Sequence, residues 1–267
     1  MKLTLSILLL SLSLLTACVT ETRVAGSNKP VVENQTQPDD AARNRVALGL
    51  RYLQNGNTAQ AKYNLERARE YAPYLGEVHY ALAYYYQRVS EPELAEAAYK
   101  DALQYGPHDG STMNNYGVFL CQNNRIDEAV GMFLAAVKEP SYIRVADAYE
   151  NAGLCLLSNT DVAQAKKYFS KALSYNAARP RSLMGMADAN LQLKELESAD
   201  FYFKQYLKNN SIDVDSAVVG YKLAVAKHDI DEQKRYELLL KSRYPNAYEA
   251  LLAEHESAAH KVKHDEG

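Results

Sequence analysis

Tryptophan is absent from this 267-residue sequence, and cysteine occurs only three times. No Gly-rich phosphate loop, Gly-x-Ser-x-Gly elbow or Cys-x-x-Cys pair occurs along it. Those absences remove the usual sequence marks of nucleotide binding, serine-hydrolase chemistry and dithiol redox chemistry. An excess of positive charge is missing too. Lys and Arg number 30 against 33 Asp and Glu, and the net charge of −3 gives no reason to expect a nucleic-acid partner. No histidine stands in register with a cysteine, so a catalytic cysteine is not expected.

One stretch comes close to a metal motif. His255-Glu256-Ser257-Ala258-Ala259-His260 looks like the zinc-protease pattern, but its histidines are five residues apart rather than four. Five residues advance a helix by ~500°, so the two rings would point roughly 140° apart and could not share an ion. His260 and His264 have i, i+4 spacing without a third ligand. No catalytic residue, metal ligand, cofactor or small-molecule substrate is expected.

What the chain does have is 21 tyrosines, eight prolines and an internal repeat. Aligned on itself at 34 residues, it places Gly49, Ala83 and Gly117 in register. Ala61, Ala95 and Ala129 align likewise, as do Leu65, Tyr99 and Phe133, and Ala68, Ala102 and Ala136. Pro73 and Pro107 close the first two units. A two-residue insertion near Arg144 shifts the register, which resumes with Gly153, Ala165, Phe169 and Ala172, then Ala187, Ala199 and Phe203. A sixth unit is degenerate, with Tyr221 and Gln233 at the small-residue positions and Pro245 at its end.

These residues resemble the tetratricopeptide repeat, two antiparallel helices per unit with small residues where they cross. A larger residue at the crossing would overpack the seam at a cost of roughly 1–3 kcal/mol. The resemblance implies an all-α fold, a right-handed superhelical solenoid of six helix pairs. The repeats are expected at 42–75, 76–109, 110–143, 146–179, 180–213 and 214–247. A capping helix over 248–258 should cover the last pair, since terminal repeats need a polar outer face. Residues 259–267 are expected to be a disordered tail.

The first 17 residues read differently. Met1-Lys2 is followed by a run, Leu3 to Leu15, of nearly all Leu, Ile and Ser. It is shorter than the 18 or more apolar residues of a membrane span, and it ends in small residues, as a secretory signal does. Leu15-Thr16-Ala17-Cys18 resembles the bacterial lipobox. That resemblance implies cleavage before Cys18 and attachment of lipid, palmitate included, at that cysteine. Several chains on one residue anchor firmly, because each buried methylene contributes roughly 0.8 kcal/mol. Residue 19 is Val rather than Asp, which favours the periplasmic face of the outer membrane. Residues 18–40 then carry Thr, Gln, Asn, Pro and charge with no periodic apolar face, and read as a flexible leash with an r.m.s. reach of roughly 25 Å.

In such repeats the first helix of each pair lines a concave groove through its positions 2, 5, 9, 12 and 13. Val46, Leu50, Leu53, Tyr80, Tyr84, Arg88 and Val118 fall on those positions and form the expected partner-binding set, apolar with a charged rim. Later repeats bring further apolar groove residues, Leu154, Leu157, Met184 and Leu191. Tyr85 and Tyr86 stand beside core positions and should pack. Cys121 and Cys155 occupy positions 12 and 10 of the first helices of consecutive repeats. They are either a disulfide across the insertion, in an oxidising compartment, or two buried thiols.

Asn114-Asn115-Tyr116-Gly117-Val118-Phe119-Leu120-Cys121 and Tyr149-Glu150-Asn151-Ala152-Gly153-Leu154-Cys155 resemble the PilF/PilW family, tetratricopeptide lipoproteins of type IV pilus biogenesis. The resemblance implies a pilotin. Such a protein is anchored in the outer membrane by lipid and helps the pilus secretin subunit reach that membrane and assemble. The alternative is an adaptor for another envelope machine, either β-barrel assembly or the regulation of peptidoglycan enzymes.

Overall fold

The structure, a computed structural model, describes residues 37–253 apart from residue 160. The signal segment 1–17, Cys18, most of the leash and the tail 259–267 with His255, His260 and His264 therefore lie outside the described residues. Within them the chain forms α1 (Pro38–Gln54), α2 (Thr58–Tyr71), α3 (Gly76–Arg88), α4 (Pro92–Tyr105), α5 (Gly110–Gln122) and α6 (Ile126–Lys138). There follow α7 (Val145–Ser158), α8 (Val162–Tyr175), α9 (Pro180–Gln192), α10 (Leu196–Leu207), α11 (Val214–Ala226) and α12 (Ile230–Arg243). A last helical segment covers 245–253. No strand occurs among the described residues, and no helix among them is long and apolar enough to cross a membrane.

The helix starts follow from local chemistry. Asn57, Asp161 and Asp229 each accept a backbone N–H three residues on, Asp213 does so within a capping box with Ser216, and Asp109 accepts from Ser111. Pro38, Pro92 and Pro180 begin their helices, where a missing N–H costs nothing. The turns inside the pairs reuse one device. Gly56, Ser90, Asn124, Lys194 and His228 all have left-handed backbone, with φ of 77°, 61°, 59°, 60° and 57°.

Helices pair as α1 with α2, α3 with α4 and so on, and every substantial contact runs within a pair or to the next pair. First helices of successive pairs approach one another while second helices stay apart, so the first helices line the inner curve of the solenoid. The seam inside each pair is built from a small residue against a large one. A side chain added at Gly49 would meet Leu65 at 2.8 Å, at Gly117 it would meet Phe133 at 2.7 Å, and at Gly153 it would meet Phe169 at 2.7 Å. Leu65, Tyr99, Phe133, Phe169, Phe203 and Tyr236 are all buried as a column.

Two boundaries and one seam differ from expectation. The first helix starts at Pro38 inside the expected leash, because Pro38 supplies a first-turn residue and Asp39 and Asp40 suit the positive end of the helix dipole. In the sixth repeat the seam is Gly220 against Tyr236, at 2.5 Å for an added side chain, one residue earlier than a repeat starting at 214 puts it. The repeat is thus less degenerate than it reads, and Tyr221 is a buried packing residue. The final helix begins at 245 rather than 248, and its Leu251 is buried against α11 and α12.

Candidate functional site

The inner face is ruled by polar cross-links between successive first helices. Arg43 Nε donates to Glu77 Oε2 at 3.1 Å, and Asn115 Nδ2 donates to the Tyr80 hydroxyl at 3.1 Å. Gln87 and Gln122 are linked at 2.8 Å, and Asn151 Nδ2 donates to Asn114 Oδ1 at 3.0 Å. Each joins residues about one repeat apart and sets the register of neighbouring pairs. Reading positions singly missed these links. Polar residues recurring at repeat spacing were the available signal.

Between the cross-links lies the expected apolar set, in part. Leu50, Tyr80 and Val118 are half-buried, and Tyr84 is 37% exposed. Tyr80 leans on Tyr99 with ring centres 6.5 Å apart, and burial raises its hydroxyl pKa. Arg88 is exposed at the end of α3 and has no ion pair among the described residues. Val46 and Leu53 are placed otherwise. At 5% and 4% exposure they belong to the core cluster that runs from α1 to α7, because α1 must bury its apolar stripe against its neighbours. They are packing residues, and the surface set contracts to Leu50, Tyr80, Tyr84, Arg88 and Val118. Tyr85 is buried and Tyr86 donates to Glu66 at 3.3 Å, both as packing groups.

The joint across the insertion is tightly made. Cys121 and Cys155 sulfurs are 2.12 Å apart with Cα atoms 5.9 Å apart, inside the span a disulfide bridges. Tyr142 packs its ring base onto Gly110, leaving no room for a side chain there. On α7 the buried Glu150 accepts from Ser182 Oγ at 2.6 Å and from Arg179 Nε and Nη2 at 3.1 and 3.0 Å. A buried carboxylate is tolerable only when paired in this way. The inner face of repeats four to six then opens into a groove of about 520 Å³ lined by Leu154, Leu157, Met184, Val218, Asp188 and Asp215.

This arrangement offers anchors and hydrogen-bonding rims to an extended or helical segment of another protein. The tetratricopeptide repeat family profile matches residues 80–142 and 150–211. The type IV pilus assembly protein PilF of Pseudomonas aeruginosa is 35% identical over 235 residues, covering 88% of this chain and 91% of that one. The solved PilF structure of that organism superposes with a TM-score of 0.73 at 36% identity, covering 81% and 99% of the two chains. The structure of PilW, described as a widely conserved type IV pilus biogenesis factor, superposes with a TM-score of 0.72 at 25% identity, covering 79% and 98%.

Proposed function

Because this chain belongs to the PilF/PilW family of tetratricopeptide-repeat proteins of type IV pilus biogenesis, we propose that it is a lipid-anchored pilotin. In this reading Cys18 carries acyl chains that hold the protein at the periplasmic face of the outer membrane. The leash lets the solenoid search, and the inner face of the first three repeats captures a segment of the pilus secretin. Capture is adhesive and no bond is made or broken.

One observation carries the assignment of surface. Leu50, Tyr80, Tyr84 and Val118 are exposed or half-exposed in one row on the inner curve, with Arg88 unpaired at its edge. Tyr and Arg are the side chains that most often anchor interfaces. The test is substitution of Leu50 and Tyr84 by Glu in the full chain, with secretin multimers counted in outer-membrane fractions. Their loss by about tenfold or more, with an unchanged far-UV spectrum, is expected if the row supplies two anchors of roughly 1 kcal/mol or more each. Normal multimers would remove the surface from the account, and normal multimers after gene deletion would remove the pilotin role.

A further inference from the structure

We propose that the edge of the solenoid formed by the loops between repeats rests on the lipid headgroup layer. The proposal deepens the anchored reading above and rests on it for the choice of lipid as partner.

The residues at these loops expose large apolar side chains: Tyr74 at 74%, Ile143 at 94% and Tyr175 at 61%. They belong to one continuous edge. The Tyr74 ring meets that of Tyr105, the last residue of α4, with centres 5.4 Å apart. His108 in the next loop is bonded through Nδ1 to Glu139 Oε2 in the loop after it, at 3.2 Å. Tyr142 beside Ile143 packs on Gly110. Arg179, following α8, donates to Asp147 in the first turn of α7 at 2.7 Å, and Tyr175 meets Tyr149 with ring centres 6.1 Å apart. Charges of both signs lie among these residues and are paired, Arg67 with Glu70, and Arg144 and Arg179 with Asp147. Charge therefore selects no partner here, and what the edge offers is apolar tips beside hydroxyls. The opposite edge exposes Leu94, Leu193 and Ile230, none above 55% and each in a different repeat, among the Asn, Asp, Glu and Lys of the turns.

The place where the chain enters points to lipid. Helix α1 begins at Pro38, and Arg43 in its second turn donates to Glu77 in the first turn of α3, just past the Tyr74 loop. The leash thus joins the solenoid at this same edge. With an r.m.s. reach of roughly 25 Å, a tether from Cys18 holds the edge near the bilayer at an effective concentration of about a millimolar. A weak contact is then populated. Tyrosine suits such a layer, ring among the headgroups and hydroxyl in water, and Ile143 adds an apolar wedge. With this edge down the helices stand on end. The inner face then opens sideways along the bilayer, where another protein at the membrane surface can meet it.

Because the chain lacks tryptophan, one substitution supplies a unique fluorophore. The test ties the full mature chain, from residue 18, by an N-terminal hexahistidine to phosphatidylcholine vesicles that contain nickel-chelating lipid, with and without brominated acyl chains. Ile143→Trp should be quenched about twofold more than Leu193→Trp on the opposite edge, since side chains seated at the acyl boundary lie within reach of the bromines. Tyr74→Trp should behave as Ile143→Trp does, and adding Ile143→Asp to it should bring its quenching down to the Leu193→Trp level. The difference should persist in about 1 M salt, where charges are screened beyond about 3 Å. Equal quenching on the two edges, a difference lost in salt, or quenching indifferent to Ile143→Asp would each overturn the proposal. Should Tyr74→Trp disturb the contact with Tyr105, the exposed Ile143→Trp and Leu193→Trp decide. The hexahistidine stands in for acyl chains, so failure here leaves the anchor untouched; mass spectrometry of Cys18 in envelope-purified protein tests that separately.

Discussion

Phe169 shows how much one side chain holds. Its ring lies between Gly153 of its own pair and Gly185 of the next, and it is fully buried. Phe169→Ala removes a filler from two seams at once and should cost about 3–5 kcal/mol, read as a lower midpoint in urea unfolding. Glu96 makes a different kind of point. Lys100 and then Arg125 hold its carboxylate at 2.8 Å each, and these bonds pull its pKa down to about 2. A carboxylate near 4.3 when unfolded and near 2 when folded adds stability above about pH 4.3 and loses it as pH falls towards 2. Unfolding free energy should fall by about 2 kcal/mol over that window through this group, and E96Q should flatten the slope. An unchanged slope in E96Q would show that other carboxylates carry the acid sensitivity.

At the scale of elements, the turns between paired helices invite improvement. Lys194 and His228 sit in left-handed backbone where the first turn has Gly56. Lys194→Gly should stabilise by about 1 kcal/mol or slightly less, because the Cβ penalty exceeds the extra chain entropy glycine brings. Thermal midpoints of the two proteins would decide. The helices themselves were legible in the spacing of Gly, Ala and aromatics, since a seam tolerates few volumes. Their ends were less so. Pro38 with Asp39 and Asp40 is a helix start written in plain chemistry, yet the polar composition of the leash masked it. Gly220 and Tyr236 match the seam rule one residue off register, which a fixed 34-residue ruler passes over. The burial of Val46 and Leu53 was not legible either, because groove numbering assumes each first helix has identical neighbours, and the first pair has a neighbour on one side only.

For the whole molecule, contact only between adjacent pairs makes stability a sum of repeats and their interfaces. The joint between repeats three and four should then be the strongest if Cys121 and Cys155 are oxidised. Closing a loop of 34 residues gives about 3–4 kcal/mol in the chain-entropy estimate. Cys121→Ser with Cys155→Ser should lower stability by roughly that amount and should make unfolding less cooperative, with the two halves separating in hydrogen exchange. Equal stability with and without reductant would mean that the pair is not bonded in the protein.

The inner-curve cross-links join each pair only to its neighbours, so the molecule should bend as a coiled spring does, with one welded turn if Cys121 and Cys155 are bonded. Under load the non-covalent joints between pairs would open first, and a bonded Cys121–Cys155 would keep the joint between pairs three and four closed.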